Sequence, residues 1–87
     1  MAQGATAGLD LRAVFGAELQ SRLPHLVAAR DGRCEDLNQA RRDAHTLGTS
    51  AFLVGEPEIA RLARAVEADL ATGPLPELVG LLQAWTP

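Results

Sequence analysis

Aromatic residues are scarce in this sequence, and their scarcity is the first indication of its fold class. They make up 3% of the 87 residues, whereas hydrophobic residues as a whole reach 47%. Most of this hydrophobic content is alanine, leucine and valine, and nowhere do β-branched or aromatic residues alternate with polar residues over the length of a strand. A β-sheet has little to be built from, so the composition favours an all-α fold in a single domain.

Long hydrophobic runs, a second cysteine and an excess of basic residues are also missing, and each absence excludes a class of protein. No segment approaches the roughly 18 consecutive apolar residues of a membrane span. The single cysteine, Cys34, permits no internal disulfide, so we expect a reducing, cytoplasmic location. The net charge of −3 opposes nucleic-acid binding, which requires a broad basic surface.

Apolar residues recur at helical spacing in four segments of the chain. The first predicted helix follows an N-cap at Asp10 and contains Pro24, which predicts a kink or a break because its ring removes a backbone hydrogen bond. Gly32 then suits a left-handed helix end, and Glu35 or Asp36 opens the second helix. The expected apolar faces are Leu11, Phe15, Leu19, Leu23 and Leu26 in the first helix and Leu37, Ala40, Ala44, Leu47, Ala51 and Val54 in the second.

Two further helices follow in the second half of the chain. Gly55 interrupts the second helix, Pro57 suits the first position of the third, and residues 72–74 end the third. Short connections force consecutive helices to run antiparallel. The prediction is an antiparallel up-and-down four-helix bundle over residues 9–87, preceded by a flexible leader at residues 1–8. The expected apolar faces are Ile59, Leu62, Ala63, Val66 and Leu70 in the third helix and Leu75, Leu78, Leu81, Leu82 and Trp85 in the fourth.

The second predicted helix carries His45 on the flank of its apolar face. This histidine directly follows the apolar-face residue Ala44, and one residue turns a helix by about 100°, so we expect an accessible imidazole. Imidazole titrates at roughly pH 6.5, and its neutral form is a competent nucleophile. If this imidazole carries a phosphoryl group, the two arginines on the preceding turn are candidates to bind its oxygens. The glycine on the following turn leaves room for a docking partner. The neighbours on this side are Arg41, Arg42, Gly48, Thr49 and Phe52.

The residues around His45 resemble the signature of a known family. Residues 44–51 read Ala-His-Thr-Leu-Gly-Thr-Ser-Ala, and residues 55–63 read Gly-Glu-Pro-Glu-Ile-Ala-Arg-Leu-Ala. They are similar to histidine-containing phosphotransfer (HPt) domains, whose pattern is roughly His-x-Leu-Lys-Gly-Ser-Ala followed by a Gly-x-x-Glu-Leu segment. Residues 15–30 also resemble the helix that precedes the histidine in that family, so the resemblance spans most of the chain.

The resemblance implies a function in two-component phosphorelays. In that family an exposed histidine, matched here by His45, accepts a phosphoryl group from the receiver-domain aspartate of a response regulator and passes it on. Such domains have no kinase activity of their own, and the receiver supplies the magnesium ion and the acidic pocket, so no cofactor is expected for this chain. The implied partners are a receiver domain and/or a hybrid histidine kinase, and we expect a monomer or a weak dimer.

Two positions depart from the family pattern. Gly48 stands where lysine is usual, and Thr49, where glycine is usual, is expected to crowd the imidazole or to hydrogen-bond to it. Arg41 and Arg42 are expected to replace part of the missing positive charge. The departures support a second hypothesis, a non-phosphorylated adaptor or inhibitor that uses the same face to bind a receiver domain or a histidine kinase.

A third hypothesis is an unrelated helical oligomerisation module, for which the small-residue seams and the acidic charge suffice. A metal enzyme or a hydrolase is opposed by the sequence, because the two histidines and the cysteine lie on different elements without metal-ligand spacing. There is no glycine-rich phosphate loop for a nucleotide. His25, next to the proline of the first helix, is assigned a structural role.

Overall fold

The structure, a computed structural model, describes residues 10–33, 36–71 and 73–86. Helix α1 spans Leu11–Arg30, α2 spans Leu37–Leu53, α3 spans Pro57–Ala68 and α4 spans Leu75–Ala84. These ranges contain no strand, and none of their helices is long and apolar enough to cross a membrane. The predicted all-α fold is therefore confirmed. The predicted leader at residues 1–8, the cysteine Cys34 and the alternative cap Glu35 lie outside the described residues.

The four described helices form a ring in which each packs against two neighbours. Helix α1 contacts α2 and α4, and α3 contacts the same two helices. Arg12, at the start of α1, donates hydrogen bonds to Glu56, just before α3, and to the carbonyl of Thr86, just after α4. The starts of α1 and α3 thus lie together with the end of α4. Consecutive helices are antiparallel, as their short connections predict.

Side-chain caps and left-handed glycines produce the predicted helix ends. Asp10 Oδ1 accepts hydrogen bonds of 3.0 and 3.3 Å from two backbone N–H groups in the first turn of α1. Asp36 Oδ1 accepts one of 3.1 Å from the N–H of Gln39 in α2. Gly32 and Gly55 have φ angles of 72° and 80°, a backbone conformation that glycine adopts without a steric penalty. These local signals set the boundaries of α1 and α2.

Pro24 does not split α1, so the break that its position suggested is absent. The helix is continuous from Leu11 to Arg30 with the proline inside it. A proline in a helix interior costs about 3 kcal/mol. Burying a leucine side chain contributes about 1.5–3 kcal/mol, and Leu19 and Leu26 are buried on either side of Pro24. Core packing of both halves therefore outweighs the lost hydrogen bond.

The predicted apolar faces are buried at their centres and exposed at two of their ends. Leu11 and Leu37 are 45% and 55% exposed. Each opens its helix at an end of the bundle, where fewer neighbours cover it, so the buried part of each predicted face begins further along, at Phe15 in α1 and Ala40 in α2. The largest fully buried side chains are Phe15, Leu26, Leu47, Leu78, Leu82, Val66 and Val79.

Helix α3 ends at Ala68, earlier than the predicted stop at residues 72–74. The backbone N–H of Gly73 donates a hydrogen bond of 2.7 Å to the carbonyl of Asp69. A Cβ at Gly73 would lie 2.3 Å from that oxygen and 3.0 Å from the carbonyl of Ala65, so glycine alone permits this approach. The chain returns against the end of α3 instead of extending it.

A polar and aromatic cluster joins the helices at the end of the bundle where α1 begins. Glu56 Oε2 accepts hydrogen bonds from Arg12 Nη2 at 3.0 Å and from Trp85 Nε1 at 3.2 Å. The indole packs edge-on against buried Phe15 with ring centroids 4.9 Å apart, and the Arg12 guanidinium lies 5.1 Å from the indole centroid. One carboxylate therefore links the beginning of α1 to the end of α4.

We expect Glu56→Ala to lower the free energy of unfolding by about 1–2 kcal/mol, because it removes the side-chain acceptor of Trp85 and one of the acceptors of Arg12. Urea unfolding followed by circular dichroism measures this loss. Glu58→Ala is the matched control, since that carboxylate is exposed and pairs only with exposed Arg61 among the described residues, and its loss should be smaller. Equal losses in the two variants would contradict a stabilising role for the cluster.

Candidate functional site

His45 lies in the middle of α2 with its imidazole exposed. Its side chain retains 64% of its accessible surface, whereas the preceding residue, Ala44, is fully buried. One residue turns the helix by about 100°, and this rotation moves the side chain from the buried face at Ala44 to the exposed face at His45. The histidine is thus accessible to a partner while its backbone belongs to a packed helix.

The imidazole is held in place by the neighbouring helix. His45 Nδ1 lies 3.0 and 2.9 Å from the two carboxylate oxygens of Glu67, near the end of α3. An ionised carboxylate only accepts hydrogen bonds, so Nδ1 carries a proton and donates it to Glu67. In the neutral ring the lone pair then lies on Nε2, the nitrogen farther from the carboxylate. Nε2 is thus the ring nitrogen whose lone pair is available.

Glu67 is the site residue that sequence reasoning missed. It lies 22 positions after His45, and its polar neighbours on α3 give it no distinguishing pattern. One signal was available, because α2 and α3 are antiparallel about the turn at Gly55. Residues at similar distances before and after such a turn come side by side, which pairs position 45 with the region of position 67.

Gly48 is buried between α2 and α3 and is not open to a partner. A Cβ at this position would lie 3.0 Å from the Cβ of Ala63, so the missing side chain allows the two helices to approach closely. The room that we expected for a docking partner is filled by α3. Thr49 is exposed, and the imidazole of His45 is hydrogen-bonded to Glu67 and not to Thr49.

Arg41 and Arg42 are both exposed on the turn before His45. Arg42 donates a hydrogen bond of 2.9 Å to Gln39 and lies 3.9 Å from Asp36, so it points toward the start of α2. This direction is usual, because helical side chains lean toward the N-terminus of their helix. The guanidinium of Arg42 therefore points away from the imidazole.

Phe52 and Arg64 lie farther along the same exposed side of the two helices. Phe52 is 65% exposed, and the guanidinium carbon of Arg64 lies 5.9 Å from the centroid of its ring. Arg64 is one helical turn before Glu67, so α3 contributes one charge of each sign. We use the name α2–α3 strip for the residues His45, Thr49 and Phe52 of α2 together with Arg64 and Glu67 of α3.

A second imidazole–carboxylate pair lies on the side of α2 that faces α1. His25 Nδ1 is 2.6 Å from Oδ2 of Asp43, a residue that is only 3% exposed. Gln39 donates to the other carboxylate oxygen at 3.0 Å, and Arg22 Nε lies 3.7 Å from it. A buried carboxylate requires such partners. Because the pair links α1 to α2 around a buried carboxylate, its role is to stabilise the packing of the two helices.

A comparison with protein families identifies the class to which this fold and its exposed histidine belong. The family model of the Hpt domain matches residues 10–86, which include all four described helices. The chain therefore belongs to the Hpt domain family, whose general role is phosphotransfer in two-component signalling. No curated protein and no solved structure matches the chain at a significant level.

We expect Gly48→Lys, which restores the family's usual residue, to lower the free energy of unfolding by about 1–3 kcal/mol, because overpacking a tight contact forces the backbone to shift. Urea unfolding measures the change. Gly80→Ala is the control, since a Cβ there meets nothing within 4 Å. It should raise the free energy of unfolding by about 0.5–1 kcal/mol through better helix propensity.

A double-mutant cycle tests the contact itself. Ala63→Gly removes the atom that a side chain at position 48 would meet, so it should recover part of the loss in Gly48→Lys. Additive effects of the two substitutions would show that the helices do not meet at this point.

Proposed function

We propose that this chain is a phosphoryl carrier whose His45 accepts a phosphoryl group from the aspartyl phosphate of a response-regulator receiver domain and passes it to another. The observation that supports the proposal is the exposed imidazole with its Nδ1 proton held by Glu67. This hydrogen bond directs the lone pair to Nε2, so the attack needs no additional base.

The transfer exchanges one bond to phosphorus for another. The Nε2 lone pair attacks the phosphorus atom, the bond to the receiver's carboxylate oxygen breaks, and the carboxylate leaves with the electron pair. The ring then carries a positive charge that both nitrogens share, and the Glu67 carboxylate offsets it through the Nδ1 proton. This chain supplies the nucleophile and its orientation, while the receiver supplies the remaining catalytic groups.

Docking of the receiver covers the α2–α3 strip and the turn before it. The acidic pocket of a receiver faces His45 in this arrangement, and the exposed Arg41 and Arg42 complement its negative charge. Phe52 provides an exposed apolar contact, with Thr49 between it and the histidine. Transient signalling contacts of this kind are usually small, below about 1,200 Å². A hybrid histidine kinase is the second proposed partner, and the relay would operate in the cytoplasm.

A second candidate function is a non-phosphorylated adaptor or inhibitor that binds a receiver domain or a histidine kinase through the same strip. The family's lysine is absent at position 48, where Gly48 is packed against Ala63. The negative charge of Glu67 also lies next to the ring that would carry an anionic phosphoryl group. An adaptor would therefore bind a receiver domain without accepting its phosphoryl group.

We expect radiolabelled, phosphorylated receiver domains to transfer label to the wild-type chain and not to His45→Gln. The label should be acid-labile, because the new bond joins phosphorus to nitrogen. His25→Gln is the matched control, a second exposed imidazole held by a carboxylate, and it should accept label like the wild type. Binding of a receiver without transfer of label would favour the adaptor function over the carrier function. Label on His45→Gln would show that another residue accepts the phosphoryl group.

We expect Glu67→Gln to slow transfer to His45 roughly tenfold, equivalent to about 1.4 kcal/mol in the barrier. The amide still accepts a hydrogen bond from Nδ1, but it no longer offsets the positive charge that develops on the ring. Single-turnover transfer from a labelled receiver measures the rate. Glu58→Gln, an exposed carboxylate on the first turn of the same helix, should leave the rate unchanged. Equal rates for wild type and Glu67→Gln would remove Glu67 from the mechanism.

A further inference from the structure

We infer that the groove between the start of α1 and the end of α2 binds a helix of another protein, one whose apolar face is flanked by lysine or arginine. The groove contains an exposed apolar patch that phosphotransfer at His45 does not use. The patch is formed by Leu11 and Val14 of α1 and Leu53 of α2, and we call it the α1–α2 patch. The inference goes beyond the proposed function and does not depend on it.

The three side chains of the α1–α2 patch surround one depression. Leu11, Val14 and Leu53 are 45%, 44% and 63% exposed. They line a cavity of about 90 Å³ together with Val54 and the fully buried Phe15. Single exposed apolar side chains are ordinary on a protein surface, whereas apolar side chains gathered around one depression are typical of a binding groove. The cavity suits one large apolar side chain of a partner, because such anchors fill pockets at the centre of an interface.

The arrangement of the groove fits a helix. Leu11, Val14 and Glu18 follow one another at spacings of three and four residues, which places them along one side of α1. Ser50 and Leu53 are three residues apart on α2 and line the same cavity. Because α1 and α2 pack side by side, the two rows form the walls of a groove. A third helix packs into such a groove with apolar residues at the same spacings.

The charge around the patch determines what flanks the apolar face of the partner. Glu18 accepts a hydrogen bond from the hydroxyl of Ser50, and Asp10 caps the start of α1. Among the described residues neither carboxylate is paired with a basic side chain, and Arg12 is paired with Glu56 instead. Most other carboxylates in the described ranges pair with an arginine or a histidine. Two carboxylates without a basic partner, beside an apolar patch, attract lysine or arginine.

A second copy of this chain fits the groove less well. A symmetric contact between two copies would place the same two carboxylates opposite each other, and like charges oppose such a contact. The chain also has a net charge of −3, so two copies repel each other as a whole.

The groove is separate from the reactive histidine. His45 and Leu53 are eight positions apart on α2, about 12 Å along the helix axis. His45 contacts α3, whereas Leu53 lies beside Leu11 and Val14 of α1. A helix seated in the groove would therefore hold this chain without covering the imidazole.

The test uses a synthetic helical peptide of about 18 residues, with leucines at helical spacing and lysines on both flanks. A matched peptide has glutamate in place of every lysine. Each is titrated into the nitrogen-15-labelled chain, and binding is followed by NMR. The lysine peptide should shift the amide signals of Leu11, Val14 and Leu53 and leave the imidazole signals of His45 in place. The glutamate peptide should not bind.

Three variants of exposed or half-exposed residues locate the binding site. Leu53→Ser and Glu18→Gln should each weaken binding of the lysine peptide about three- to tenfold. The amide of Glu18→Gln still accepts a hydrogen bond from Ser50, so this variant removes the charge alone. Leu37→Ser is the control, because it removes an exposed leucine at the opposite end of α2, and it should bind like the wild type. Circular dichroism checks that each variant is folded.

Several results would overturn the inference. These are equal binding of the two peptides, no shift at the α1–α2 patch, and equal weakening by Leu53→Ser and Leu37→Ser. Sedimentation of the chain alone tests the second copy as the occupant: a dimer that Leu53→Ser dissociates would assign the groove to self-association. A receiver domain that needs Leu53 for binding, in a chain that ignores the lysine peptide, would assign the groove to the receiver and also overturn the inference.

Discussion

The close approach of α2 and α3 at Gly48 and Ala63 is the constraint on which the site depends. Helix axes usually lie 8–10 Å apart, at a separation set by the side chains in contact. A glycine against an alanine lies at the small end of that range, and a Cβ at Gly48 would lie 3.0 Å from that of Ala63. The same approach brings Glu67 to 2.9 Å from His45. The residue that departs from the family pattern therefore forms a helix–helix contact about one turn from the His45–Glu67 pair.

The two imidazole–carboxylate pairs show how exposure determines what one chemical pair does. Asp43 is 3% exposed and lies between α1 and α2, so its hydrogen bond from His25 satisfies a buried charge and holds two helices together. In the second pair the Glu67 and His45 side chains are 36% and 64% exposed. The Glu67 carboxylate orients the ring without enclosing it, and the outer nitrogen stays accessible to a partner.

Local signals explain why much of the fold could be predicted. Caps at Asp10 and Asp36 and left-handed glycines at Gly32 and Gly55 act within a few residues, so their effect is visible in sequence. The predictions that failed concern residues whose surroundings depend on side chains distant in the chain. Pro24 predicted a kink or a break, yet packing on both sides keeps α1 continuous. Leu37 has the spacing of an apolar-face residue but is 55% exposed at the start of α2.

The four helices, their antiparallel order and the exposure of His45 could all be predicted from the amino-acid sequence, because each follows from spacing along one helix or from a short connection. That Glu67 holds the imidazole and that Gly48 is a packing contact became visible only from the way the helices pack. These relations join residues on different helices, 22 positions apart for His45 and Glu67. Their register is set by the combined packing of many side chains, which no local pattern specifies.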